Sequence, residues 1–204
     1  MGADKKKQRL NRVLLCAAGG FQSYAIPGFV LSLLKHVADD VQVVLSRAAA
    51  KMTSRYAIEV ASRHAVFVDM DDAAEGIHVP HIELSRSADV IIVYPATVNI
   101  LGKVANGVAD ELISALVLAA ERPVFFVPVC NDAMWNHPAV QRNVSTLRLD
   151  GYEVLPMIAS MEVATREGLA EAPDVFPMPT LLAKLSASVR NPSFARVHRK
   201  GADS

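Results

Sequence analysis

Along this chain, short apolar runs with little interrupting charge alternate with longer stretches in which apolar residues recur every three or four positions. Residues 13–17, 41–45, 88–94 and 124–127 are of the first kind, and their lack of a polar face predicts strands buried between two layers. The second kind predicts helices over 26–37, about 48–62, 82–87, 101–108, 111–120 and 140–149. Local punctuation agrees: Pro27 falls in a first turn, where a missing N–H costs nothing, Asn106-Gly107 separates two helices, and Gly151 follows the last one. A short extended piece at 66–69, a polar loop at 71–80 and a late strand at 152–155 complete the pattern. Strands and helices in alternation imply an α/β fold whose parallel sheet is covered on both faces.

Composition narrows this further. At 204 residues and 51% hydrophobic content the chain can bury a full core as one domain, expected over 12–189. Residues 1–11 carry a lysine run with no long apolar stretch after it, which reads as a flexible, solvated terminus rather than a signal sequence, and the basic, polar stretch 190–204 reads as a disordered tail. A formal net charge of zero argues against nucleic acid or a membrane surface as partner. Cys16 and Cys130 close separate strands and are too widely spaced to imply a metal site or redox pair. A reduced, cytoplasmic setting is expected.

The chemistry-bearing residues gather where strands end, which is where open α/β sheets bind ligands. After 124–127 comes Pro128-Val129-Cys130-Asn131-Asp132-Ala133-Met134-Trp135, placing an amide, a thioether and the single tryptophan within five residues. That set suits a planar cofactor or a sulfur-bearing substrate; equally, Asn131 can cap the next helix while Met134 and Trp135 pack beneath the loop. After 88–94 the chain reads Pro95-Ala96-Thr97-Val98-Asn99, small and amide-bearing residues that let backbone N–H groups approach a ligand ahead of a helix N-terminus. The first strand runs into Gly19-Gly20-Phe21, a turn able to cradle a phosphate or simply to connect, and Ser46 closes the second strand as phosphate contact or helix cap. His81, at the start of the predicted helix 82–87, is placed to be held neutral by the helix dipole and to accept a proton; His78 reads as a solvated loop residue.

Three of these features, in order and at matching spacing, carry a family resemblance. The chain resembles the flavin-containing cysteine decarboxylases, which include the lantibiotic decarboxylases and phosphopantothenoylcysteine decarboxylase. Their signatures are Pro-Ala-Ser-Ala-Asn-Thr, present here as Pro95-Ala96-Thr97-Val98-Asn99-Ile100, and Pro-x-Met-Asn-x-x-Met-Trp, kept here except that Cys130 stands for the first methionine. The upstream histidine matches His81, fourteen residues before Pro95. The similarity runs from about residue 12 to about residue 179.

The resemblance implies a Rossmann-like, flavodoxin-like three-layer fold and bound flavin, FMN by default and FAD as the alternative. It also implies oxidative decarboxylation of a cysteine at the carboxyl end of a precursor peptide. In the family the thiol loses a proton, its β-carbon gives hydride to the flavin, and the thioaldehyde formed lets carbon dioxide leave, giving an enethiol. Carried over, His81 is the base or carboxylate-orienting group, Asn131 binds the terminal carboxylate and Met134 holds substrate. Gly19, Gly20, Phe21 and Ser46 meet the flavin phosphate, and Pro95, Ala96, Thr97 and Asn99 hold its ring. The segment 155–162, with Pro156, Met157, Ser160 and Met161, lies where the peptide-modifying enzymes carry a substrate clamp; its other reading is an exposed apolar loop at a subunit contact. The coenzyme A branch uses a later cysteine to re-reduce its intermediate, and none follows Cys130, so an enethiol for S-aminovinyl-cysteine rings is the expected product. Trimers built into a dodecamer are the implied assembly. A flavin prenyltransferase needs a prenyl-phosphate set that the chain does not display. A flavin-binding regulatory subunit usually carries acidic extensions, which are absent here.

Overall fold

The computed structural model describes residues 9–72, 74, 76–159 and 181. Its centre is a six-stranded sheet of β1 (Leu10–Ala17), β2 (Ala38–Leu45), β3 (Val90–Ala96), β4 (Val124–Cys130), β5 (Glu153–Val154) and β6 (Ile158–Ala159). The strands run in the order β2-β1-β3-β4-β5, all parallel, and β6 pairs with the carboxyl end of β4. This order reverses direction between β1 and β3, the switch point where flavodoxin-like sheets open a crevice. Among the described residues no helix is long and apolar enough to cross a membrane, and no group of three or more His, Cys, Asp or Glu residues is placed to hold a metal.

Period-two alternation divides the buried strands between two cores. Val13, Leu15, Ala17, Ile92, Tyr94, Phe125 and Val127 point to one face, where they meet Ile26, Phe29, Val30 and Leu33 of α1 (Ile26–His36) and Ile58 of α2 (Arg55–Ser62). Leu14, Cys16, Ile91, Val93, Val124 and Phe126 point to the other. There they meet α3 (Pro80–Ser87), α4 (Val98–Ala105), α5 (Leu112–Leu118) and α7 (Pro138–Leu149). Three layers follow directly from strands that are apolar on both sides. Both cysteines are buried and free.

Several boundaries differ from the sequence reading. The helix expected over 48–62 is interrupted: a 3-10 turn, Ala49–Lys51, ends before Ser54, whose hydroxyl caps α2 by accepting the Ala57 N–H at 3.2 Å. A local serine cap outcompetes continuous helix here. α4 starts three residues earlier than expected because Thr97 is its N-cap, so Asn99 lies within the helix rather than in a loop. Pro95 and Ala96 likewise belong to β3, whose register against β4 shifts between Val93 and Ala96. β1 reaches back to Leu10, and Arg9 hydrogen-bonds the carbonyls of Leu34 at 2.6 Å and Lys35 at 3.2 Å, at the end of α1. The four-residue α6 (Asp132–Trp135) and the β6 pairing were not anticipated.

Candidate functional site

The first half of the site forms where β1, β2 and β3 end. Ala18 N–H donates to the Pro95 carbonyl at 3.1 Å and Ser46 N–H to the Ala17 carbonyl at 2.9 Å, so three strand ends are stitched together. Glycine is required at the centre of this junction. A Cβ on Gly19 would lie 2.4 Å from the Ala48 Cβ, and one on Gly20 would lie 3.1 Å from both Cβ and Cγ of Pro95. The loop is held from beneath by the buried Ser23, whose hydroxyl donates to the Ala18 carbonyl at 2.7 Å. Ser46 accepts the Ala49 N–H at 3.1 Å. Its own hydroxyl hydrogen is then available to an anion.

Ser46 and Asn99 open onto one cavity of ≈ 720 Å³, large enough for a cofactor. The rest of its lining includes two ion-paired groups: Arg47 with Asp69 (2.5 Å), and Lys103 with Asp110 and Glu111 (2.8 Å each). Val68, Met70 and Leu112 supply apolar surface. Thr97 caps α4, its Oγ1 accepting the Ile100 N–H at 3.5 Å. Phe21 is exposed and packs on Tyr24 with ring centroids 5.1 Å apart, outside the cavity lining.

The second half lies at the end of β4 and the start of α3. Asn131 caps α6, its Oδ1 accepting the Met134 N–H at 2.8 Å. The capping bond fixes the orientation of the amide and leaves Nδ2 as a donor. Met134 is 45% exposed. Trp135 instead packs against the core on the α7 face, so the packing alternative holds for it. Cys130 is buried, and its thiol is raised by that burial and by Asp132. His81 is the second residue of α3, and its Nδ1 is buried with no hydrogen-bond partner among the described residues. Glu83 fixes this helix start, its carboxylate accepting N–H groups from His78 and Val79 at 3.0 and 2.7 Å. Those bonds, from Val79 first and His78 second, hold its carboxyl below the usual range. Of the expected residues, Ser46 and Asn99 line the ≈ 720 Å³ cavity, whereas Gly19, Gly20, Phe21, Pro95, Ala96, Thr97, His81, Asn131 and Met134 do not.

Of the expected clamp, Pro156 is exposed and Met157 half-buried, while Ser160 and Met161 lie outside the described residues. Ile158 and Ala159 pair with Val129 and Cys130, which ties this segment to the strand that ends just before Asn131. Sequence reasoning missed Arg47, Asp69, Lys103, Asp110 and Glu111. Lys103 was legible, standing one helical turn beyond Asn99. The carboxylates reach the cavity only through the fold.

Comparisons with known proteins agree with this architecture. The Flavoprotein family model matches residues 1–184. Mersacidin decarboxylase of a Bacillus species is 33% identical over 156 residues, covering 76% of this chain and 78% of that protein. Phosphopantothenoylcysteine decarboxylase of Mus musculus is 31% identical over 191 residues, covering 91% and 90%. The coenzyme A biosynthesis bifunctional protein CoaBC of Bacillus subtilis is 39% identical over 140 residues, 69% of this chain, but the match spans only 34% of that longer protein. Among solved structures, the FMN-dependent cysteine decarboxylase SpaF superposes with a TM-score of 0.67 at 35% identity, covering 79% of this chain and 97% of that one. MrsD from a Bacillus species gives 0.70 at 30%, covering 86% and 96%. With its flavodoxin-like Rossmann sheet and a family match over most of its length, this chain belongs to the Flavoprotein family.

Proposed function

We propose that this protein is a flavin-dependent enzyme that oxidatively decarboxylates a cysteine at the carboxyl terminus of a precursor peptide, with FMN as its cofactor. The observation that carries this reading is the capped Asn131, whose Nδ2 is left to donate at the carboxyl end of β4 beside an exposed thioether. The residues present fit a phosphate-bearing planar group. Gly19 leaves no room for a Cβ and Gly20 leaves little, Ser46 retains a hydroxyl hydrogen, and Asn99 fronts a cavity of suitable size. Gly19, Gly20, Phe21 and Ser46 would hold the phosphate, and Pro95, Ala96, Thr97 and Asn99 the ring. FMN, when bound, supplies two-electron oxidation. Asn131 donates to the substrate carboxylate, Met134 packs against its sulfur, and His81 takes the thiol proton or orients the carboxylate. Loss of the thiol proton and a hydride from the β-carbon leaves a thioaldehyde. The bond to the carboxylate then breaks, and its electron pair flows toward sulfur to give the enethiol.

A second reading, decarboxylation of phosphopantothenoylcysteine, is supported by the near full-length similarity to the mouse protein. Mass analysis separates the two. A peptide ending in cysteine is expected to lose about 46 mass units, carbon dioxide plus two hydrogens, whereas a net loss of about 44 from phosphopantothenoylcysteine alone favours the second. The proposal extends to a cytoplasmic setting and to self-association as trimers built into a dodecamer. The exposed side chains of Phe21, Tyr24, Tyr56 and Val60 support the assembly. Light scattering that found an active, flavin-loaded monomer of 22.0 kDa would remove it.

A further inference from the structure

One residue organises the turn that joins α4 to α5. Val108 N–H donates to the Lys103 carbonyl at 2.9 Å and Gly107 N–H to the Val104 carbonyl at 3.1 Å, with Gly107 at φ 68°. This pair of bonds is the Schellman arrangement, which needs a left-handed residue after the cap. The Lys103 side chain then crosses the same turn. Its Nζ lies 2.8 Å from Asp110 Oδ1 and 2.8 Å from Glu111 Oε1. Glu111 is the N-cap residue of α5, and its carbonyl accepts the Ala115 N–H at 3.0 Å. Backbone and side chain of Lys103 therefore both tie the end of one helix to the start of the next. The pairing is partly shielded: side-chain exposure is 22% for Lys103 and 27% for Glu111, against 56% for Asp110. Hydrogen bonds, from Asp110 first and Glu111 second, hold the ammonium above the usual lysine value.

Lys103 follows Asn99 by four residues, so the two share one face of α4. Both line the ≈ 720 Å³ cavity, as do Asp110, Glu111 and Leu112 from the far side of the turn. A rotation of α4 relative to α5 would move Asn99 with it, and among the described residues the Lys103 bridge is the side-chain ion pair that opposes such a rotation. Without it, two carboxylates would also stand unneutralised in the cavity wall. We propose that Lys103 is a positioning residue of the flavin site: by locking α4 onto the start of α5 it sets where Asn99 meets the flavin ring. This rests on the reading of the cavity of Ser46 and Asn99 as the flavin site.

The test is equilibrium titration of the apoprotein with FMN, followed by flavin fluorescence and by the visible absorption of the bound flavin. It compares wild type, Lys103→Met, Lys103→Arg and Arg55→Met. The last removes an exposed (i, i+4) pair, Arg55 with Glu59 at 3.0 Å on α2, and serves as the control for losing an ion pair elsewhere. Lys103→Met is expected to raise the FMN Kd about ten-fold, the scale of a partly shielded, charge-assisted pair, and to move the bound spectrum toward that of free flavin. Lys103→Arg keeps the bridging charge and is expected to recover affinity to within about three-fold of wild type. Arg55→Met should bind as wild type does. If Lys103→Met fails to fold, Glu111→Gln takes its place, with a rise in Kd of about three-fold expected because one arm of the bridge remains. An FMN Kd within about two-fold of wild type and an unshifted spectrum in the variant would overturn the proposal. So would a loss that Lys103→Arg does not recover or that Arg55→Met reproduces. Wild type that takes up no FMN would remove the flavin reading and this inference with it. Wild type that binds FMN while Lys103→Met binds it equally well would remove this inference alone.

Discussion

At the amino edge of the sheet, Arg12 on β1 donates its Nε–H to Asp40 on β2 at 2.6 Å, and His64 reaches the other oxygen of the same carboxylate at 2.5 Å. Asp89, ahead of β3, accepts the N–H groups of Asn11 and Arg12 at 2.6 and 3.1 Å. At the carboxyl edge the polar groups are left incomplete. Among the described residues, His81 Nδ1 is buried without a partner, Asn131 uses its oxygen and keeps its donors, and Ser46 accepts one bond and keeps its hydrogen. A buried polar group without a partner costs about 1–3 kcal/mol, so its persistence calls for an explanation that a completed pair does not. At one edge of the sheet the polar groups complete each other and tie the strands together; at the other they keep donors and acceptors that protein partners leave unused among the described residues.

Substitutions at the two edges should therefore separate activity from stability. The largest effect is expected from His81→Asn, which should lower decarboxylation by about 10²–10⁴-fold while flavin content and melting temperature stay at wild-type values. Colourless purified protein would place His81 against the cofactor instead. Asn131→Ala is next, with a loss of about 2–4 kcal/mol in transition-state stabilisation read from kcat/KM. Loss of the cap should add about 1 kcal/mol of destabilisation, measured by urea unfolding. Turnover that survives this change would take Asn131 out of the site.

Gly19→Ala should act on both properties, because its new Cβ meets Ala48 at 2.4 Å. A drop of about 1–3 kcal/mol in unfolding free energy and weaker FMN binding are expected, and unchanged binding would show that this loop only connects. The smallest effect belongs to the amino edge. Asp40→Asn should cost about 1 kcal/mol of stability near neutral pH and leave the FMN Kd and kcat unaltered. Burial raises the Asp40 carboxyl, but hydrogen bonds from His64 and then Arg12 outweigh it and hold the group below its ordinary 3.8. A lowered folded value means that this stabilisation is present above the unfolded value and disappears as pH falls through the folded one. Urea midpoints measured down that acid limb should converge for wild type and variant, and a gap that widens toward acid would contradict the pairing.

The sheet was legible because strands buried on both faces leave apolar runs that no other element of this length explains. Helix starts were less so. Thr97 and Ser54 cap helices through short-range side-chain bonds, and both competed with periodicity where the sequence reading placed the boundary elsewhere. Of the candidate site, sequence pointed to Gly19, Gly20, Ser46 and Asn131, and the fold places all four at the carboxyl ends of strands, which is the signal that singled them out. Trp135 shows the limit of that signal: its indole packs on the core rather than over the cavity. Arg47, Asp69, Asp110 and Glu111 carry no local pattern that marks them, and they meet only when the sheet brings their loops to one cavity.

In the proposed function, the carboxyl edge binds flavin and uses it to oxidise a peptidyl cysteine as carbon dioxide leaves. The most direct test is an anaerobic single turnover of FMN-loaded protein with one equivalent of a peptide ending in cysteine, following flavin absorbance and released carbon dioxide together. Bleaching of the flavin in one-to-one stoichiometry with carbon dioxide is expected. Carbon dioxide released with the flavin still oxidised, or a bleached flavin with the peptide mass unchanged, would contradict it.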